Sequence, residues 1–178
     1  MLSAKALREA IGTEAELAVS NAIDGFVCKD KDVEKFLKSK AFEFERRDKS
    51  RTYLVIDDET QNLVAYFTLS LKSLEFRDAL SKSKIREIDG FSKEVKGVAI
   101  ALIGQFGKDE NKATEMSGKD LLDFCMDKIY QVHTLIGGRY VLIECHDIGK
   151  VVDFYRGNGF ELLQLDKSDN YLQMVRRL

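Results

Sequence analysis

One arrangement limits the fold more than any other. Residues 95–107 (VKGVAIALIGQFG) and 139–145 (RYVLIEC) are apolar through their middles, and a capped amphipathic segment lies between them. Short apolar runs rich in Val and Ile are what strands covered on both faces look like. Ser117 followed three residues on by Asp120 is a helix-opening pattern, the hydroxyl and the carboxylate each serving an amide of the first turn. Behind it Leu122, Cys125, Ile129 and Val132 recur at helical spacing, and Gly137-Gly138 stops the chain. A strand, a crossover helix and a second strand must pair in parallel, with right-handed connection.

The flanking sequence predicts antiparallel partners for that unit. Residues 52–58 (TYLVIDD) and 63–71 (LVAYFTLSL) are β-branched and aromatic, with the polar turn 58–62 between them, and predict a hairpin. Residues 160–165 and 171–175 predict a closing strand pair. Helices are expected over 5–11, over 32–46 with Asp30 or Asp32 as cap, within 72–89, and from His146-Asp147 through Arg156. The expectation is an α/β (α+β) fold: a central mixed, mostly antiparallel sheet with one parallel strand pair and helices on both faces. At 178 residues the chain is expected to be one domain, residues 1–178.

Composition narrows the function. The net charge is −2, from 28 basic and 30 acidic residues, so no general excess of cations is available to a phosphate backbone. Nucleic acid is therefore not an expected partner on charge, apart from the local basic cluster 46–51 (RRDKSR). Cys28, Cys125 and Cys145 are odd in number and widely spaced, which argues against a disulfide framework or a zinc site; no metal is expected. The N-terminus has no apolar leader segment, and no apolar run reaches the roughly 18–20 residues that span a bilayer. No membrane association and a cytoplasmic location are the expectation.

Ligands of such sheets bind beyond the carboxyl ends of parallel strands, where the following helices present free amides. Two places qualify here: the loop from Gly107 to Lys119, and His146-Asp147 ahead of the helix carrying Tyr155. The first is the natural anion site, with Gly118 allowing close approach.

At this point the residues resemble a known family. Ile143-Glu144-Cys145-His146-Asp147 running into Val152-Asp153-Phe154-Tyr155-Arg156-Gly157-Asn158-Gly159-Phe160 is similar to the GNAT superfamily of acetyltransferases, in which a strand leads to a helix ending in Phe-Tyr-x-x-x-Gly-Phe. Residues 103–109 look like that family's cofactor-side strand. Phe26-Val27-Cys28, Phe36-Leu37 and Thr52-Tyr53-Leu54-Val55 resemble the branch that includes the acetyltransferase toxins of toxin–antitoxin pairs.

The resemblance implies direct transfer of an acetyl group from acetyl-CoA to a primary amine of an unidentified small-molecule or protein acceptor. Backbone amides near Phe106, Gly107 and Lys108 would hold the pantetheine arm and meet the developing oxyanion. The family's pyrophosphate loop falls on Thr114, Met116, Ser117, Gly118 and Lys119; only the last glycine of its usual pattern is kept, and Glu115 brings a negative charge. Tyr155 matches the tyrosine that protonates the leaving thiolate, and a phenol of pKa about 10 suits that task. Glu144 and His146, on one face by strand alternation, are the alternatives for taking the amine's proton. Two further readings carry different expectations: a toxin acting on aminoacyl-tRNA, and a binding module of this fold without catalysis. The acceptor, the oligomeric state and the acyl length are not legible.

Overall fold

The computed structural model describes residues 1–112, 116–168 and 170–178. Seven strands, β1 (Leu2–Ala6), β2 (Arg51–Asp57), β3 (Leu63–Glu75), β4 (Gly97–Lys108), β5 (Tyr140–Cys145), β6 (Glu161–Leu165) and β7 (Leu172–Arg177), pair in the order β1-β2-β3-β4-β5-β7-β6. The helices are α1 (Ala15–Asp24), α2 (Lys31–Ser39), α3 (Ala41–Arg46), α4 (Lys82–Asp89), α5 (Gly118–Ile136) and α6 (Gly149–Gly157). The parallel pair is β4 with β5, in register from Ala101 opposite Val141 to Ile103 opposite Ile143. β1–β2, β2–β3, β5–β7 and β6–β7 are antiparallel. The expected mixed sheet with one parallel pair is thus present.

The chain forms two compact units, residues 1–70 with 104–127 and residues 71–103 with 128–178. In the first, Leu7, Ile23, Phe26, Leu37, Leu54 and Tyr66 form a core, each at most 3 % exposed. Burying side chains of this size stabilises by about 1.5–3 kcal/mol each, which is what holds three short helices to the strands. In the second, Leu74, Ile100, Tyr140, Leu142 and Val175 form one face of the sheet, with Ile88 of α4 packed on it.

Two local expectations are corrected. Residues 5–11 are not a helix: β1 pairs along β2, from Leu2 opposite Asp57 to Ala6 opposite Tyr53, and only a 3₁₀ turn at Leu7–Glu9 follows. The pairing satisfies an edge that β2 would otherwise present to solvent, and Leu7 is anchored in the core. The helix expected over 32–46 is two helices, broken at Lys40 (φ −125°) and tied across the break by an edge-on contact of Phe36 and Phe44 at 5.1 Å. Asp30 caps the first, accepting from the amides of Asp32 (2.9 Å) and Val33 (3.2 Å). The helix expected within 72–89 is present as α4, which begins after β3 has run on to Glu75.

Candidate active site

The first unit carries Phe106, Gly107, Lys108, Met116, Ser117, Gly118 and Lys119; Thr114 of the predicted loop lies outside the described residues, as does Glu115. On β4 the amides of Gln105 and Asp109 point to β3, donating to Thr68 Oγ1 (2.8 Å) and to the Val64 carbonyl (2.8 Å). Strand alternation sends the Gly107 amide the same way and turns those of Phe106 and Lys108 to the opposite edge. The β4–β5 register ends at Ile103, so this stretch of β4 lies beyond it. Gly107 is required by packing: a Cβ there would lie 2.6 Å from Val33 Cγ1 and 3.0 Å from Cys28 Sγ.

Behind the strand, Asp109 is 1 % exposed and works as a turn anchor. Its carboxylate accepts from the amides of Val27 (3.3 Å) and Asn111 (2.8 Å). Lys108 reaches the Met116 carbonyl at 2.6 Å, fastening the chain where it enters α5, while the Met116 side chain is buried. The capping expected at Ser117 is present in both directions: the Asp120 amide donates to Ser117 Oγ (3.1 Å) and the Ser117 amide to Asp120 Oδ2 (2.8 Å). The Ser117 hydroxyl, then the Ser117 amide, hold the Asp120 carboxyl below its usual range. The amides of Gly118 and Lys119, first in the helix, lie outside that box, and Lys119 pairs with Asp123 at 2.6 Å. The Gly118 and Lys119 amides at the helix N-terminus make the start of α5 a place for an anionic group.

The second unit carries Glu144, His146 and Tyr155. Tyr155 sits in the last turn of α6, and the motif around it has a plain physical meaning. The Phe160 amide donates to the Tyr155 carbonyl (3.0 Å) and the Gly159 amide to the Arg156 carbonyl (3.1 Å), with Gly159 at φ +84°. That is a Schellman stop, and its usual apolar contact is the Tyr155 ring edge-on to Phe160 at 5.6 Å. Phe154 lies against the other side at 5.1 Å, so Tyr155, 6 % exposed, has its ring gripped by its neighbours in sequence. Asn158 completes the turn, donating from its side chain to the Phe154 carbonyl at 2.7 Å.

Glu144, at the end of β5, has both carboxylate oxygens 2.6 Å from Lys72 Nζ and accepts from Gln173 Nε2 at 2.7 Å. His146 is exposed, its ring tilted against Tyr171 at 4.6 Å between centroids. Cys145 is buried against Met174, and burial, then Asp147, pushes its thiol above the ordinary range. Lys72 and Gln173 are the residues that sequence reasoning missed here; both are distant in the chain and neither stands in a motif. Among the described residues no group of three or more His, Cys, Asp or Glu is placed to hold a metal ion, and no helix is long and apolar enough to cross a membrane.

The basic cluster 46–51 is consumed by local pairing. Arg46 pairs with Glu16 and lies over the Phe42 ring, Arg47 pairs with Glu43 (3.1 Å), and Arg51 pairs with Asp48 (2.6 Å) and Glu45 (3.2 Å). Lys49 lies over the Phe44 ring at 5.6 Å.

No family model matches the chain. It is similar to "Probable toxin TacT" of Sinorhizobium fredii, 26% identical over 145 residues that cover 78% of this chain and 77% of that protein. Among solved structures, a complex of AtaT with acetyl-methionyl-tRNAfMet superposes with TM-score 0.71 at 21% identity, covering 97% of this chain and 94% of AtaT. A tyrosine-to-phenylalanine mutant of KacT superposes with TM-score 0.72 at 20% identity, covering 97% of this chain and 93% of KacT. The fold is that of the GNAT toxins. The GNAT resemblance carried by residues 154–160 is borne out, including its leaning toward the toxin–antitoxin branch.

Proposed function

We propose that this GNAT protein is a toxin-type N-acetyltransferase that moves the acetyl group of acetyl-CoA to the amine of an aminoacyl-tRNA. The observation that carries the reading is Tyr155, buried and gripped at a helix stop whose sequence is the family's motif. Support for the cosubstrate comes from the start of α5 and from a neighbour of the same fold, AtaTR, solved with acetyl-CoA. Support for the acceptor comes from the AtaT complex with acetyl-methionyl-tRNAfMet, and support for a toxin role from the TacT relative.

The amine attacks the thioester carbonyl, whose oxygen gathers charge that a backbone amide is suited to meet. As the tetrahedral intermediate collapses, the C–S bond breaks and Tyr155 gives its phenolic proton to the departing thiolate. The amine's proton leaves through His146 or water. Two neighbours, AtaT and KacT, were solved as tyrosine-to-phenylalanine mutants, which fits a tyrosine at the centre of the chemistry.

A second reading, transfer to a small-molecule or protein amine, is favoured by the net charge of −2 and by the paired state of the 46–51 cluster. Calorimetry with acetyl-CoA, then radiolabelled acetyl transfer to mixed charged tRNAs and to an amine panel, separates the two. Labelled charged tRNA is expected, with growth arrest on expression, and Tyr155→Phe should lower kcat about 10²–10⁴-fold while cosubstrate binding persists. No binding at millimolar acetyl-CoA would end both readings; labelling of free amines alone would select the second.

A further inference from the structure

On the face of the second unit, three strands, β3, β5 and β7, carry an apolar residue and then a polar one two positions away. Leu74 is followed this way by Lys72, Leu142 by Glu144 and Val175 by Gln173. The register makes these two tiers, with Leu142 opposite Val175 and Glu144 opposite Gln173. The polar tier is the one toward the carboxyl end of β5, the end at which His146 and α6 begin.

The polar tier is fully ordered. Lys72 Nζ donates to both Glu144 oxygens at 2.6 Å, and Gln173 Nε2 donates to Glu144 Oε1 at 2.7 Å. That fixes Gln173 Oε1 to face away from Glu144, where it accepts from Gln164 Nε2 at 2.7 Å. Gln164 closes the chain on the backbone after β3, donating to the Glu75 carbonyl (2.8 Å) and accepting from the Arg77 amide (2.9 Å). An ammonium at one end and a backbone amide at the other leave each side-chain amide one orientation. Gln173 is 5 % exposed and the Glu144 side chain 20 %, so these two have largely given up water, while the Lys72 side chain keeps 36 %. An apolar tier would hold strands together at least as well; what this chain adds is one position for the end of β5.

We propose that Lys72, Glu144, Gln173 and Gln164 form a positioning network for acetyl transfer, in which Glu144 is a held carboxylate rather than the proton acceptor. The inference rests on the acetyltransferase reading above. Glu144 has an ammonium on both oxygens, so a proton taken there would break the pair that orders the tier. His146, exposed beyond it, is left as the group that takes the amine's proton.

The test compares Lys72→Met, Glu144→Gln and the double variant with the wild type, for acetyl transfer to charged tRNAs, acetyl-CoA binding, pH profile and Tm. Lys72→Met strands the carboxylate and is expected to lower kcat/KM about tenfold, chiefly through kcat. Glu144→Gln keeps the Gln173 bond and should stay within about tenfold of wild type, with the acidic limb of its profile in place. Adding Glu144→Gln to Lys72→Met should recover rate and Tm, because the uncompensated charge is gone. The proposal is overturned if Glu144→Gln alone falls about 10²–10⁴-fold and loses the acidic limb while Tm holds, which would make Glu144 the base. It is equally overturned if Lys72→Met matches wild type in kcat, KM and profile. A wild type that binds no acetyl-CoA would instead sink the acetyltransferase reading, and the Tm values would still report the coupling of the pair.

Discussion

Replacing Gly159 by Ala tests whether the motif around Tyr155 works through its helix stop. A Cβ at Gly159 meets nothing closer than Arg176 Nε at 3.7 Å, so no clash enters the argument. The cost is conformational, because φ +84° is a left-handed position that charges an L side chain about 1–2 kcal/mol. The lower entropy of an unfolded chain with Ala returns about 0.4–1 kcal/mol of that. If the chain escapes the strain by unwinding the stop, the Tyr155–Phe160 ring contact goes with it, another 0.5–1.5 kcal/mol or so. The net expectation is a loss of about 1 kcal/mol, a Tm drop of roughly 2–4 °C for a chain of this size. Gly159→Asn should cost less, since Asn tolerates the left-handed region. Thermal unfolding followed by circular dichroism measures the first quantity, and kcat for acetyl transfer measures the displacement of Tyr155, expected to fall by up to about 10²-fold. An Ala variant with wild-type Tm and kcat would refute the reasoning, as would an Asn variant no better than Ala.

Two further outcomes follow from the first unit. Gly107→Ala should destabilise by about 1–3 kcal/mol in urea unfolding, because its Cβ would press on Val33 and Cys28, and Val33→Ala in the same chain should restore much of the loss. On the acid side, Glu34 is lowered to about 2 by Lys31 first, then by the Cys28 amide and Lys38. A depressed folded-state value means stability that is whole above the ordinary carboxyl range and lost as pH falls from about 4.5 toward 2. Urea midpoints measured through that window should fall less steeply for Glu34→Gln than for wild type; equal slopes would remove Glu34 from the acid response.

How much was legible depended on how local the cause was. The β4–α5–β5 unit was readable because its apolar runs, its Ser117–Asp120 box and its Gly137-Gly138 stop all act within a few residues of themselves. Asp30 and the Gly159 stop belong to the same kind, and Tyr155 was found through the latter. β1 was misread because residues 2–6 acquire their extended form from β2, some fifty positions on. The helix α1 leaves little signal in the sequence, because only Ile23 is buried and Val19 partly packed while Leu17 is exposed.

The cluster 46–51 shows the limit in the other direction. Its charge was visible, yet whether it faces a polyanion or its own neighbours depended on Glu16, Glu43 and two aromatic rings.

What the chain determined by itself was the β4–α5–β5 unit, its parallel pair and the helix stop that holds Tyr155, since each follows from capping, periodicity or a required glycine. What only the tertiary structure decided was the state of Glu144. Sequence placed it at the end of a strand as a candidate base; the fold brought Lys72 and Gln173 to its oxygens, from β3 and β7. A carboxylate's chemistry is set by the charges and donors within a few ångströms, and those neighbours are chosen by strand order and register rather than by anything adjacent in the chain.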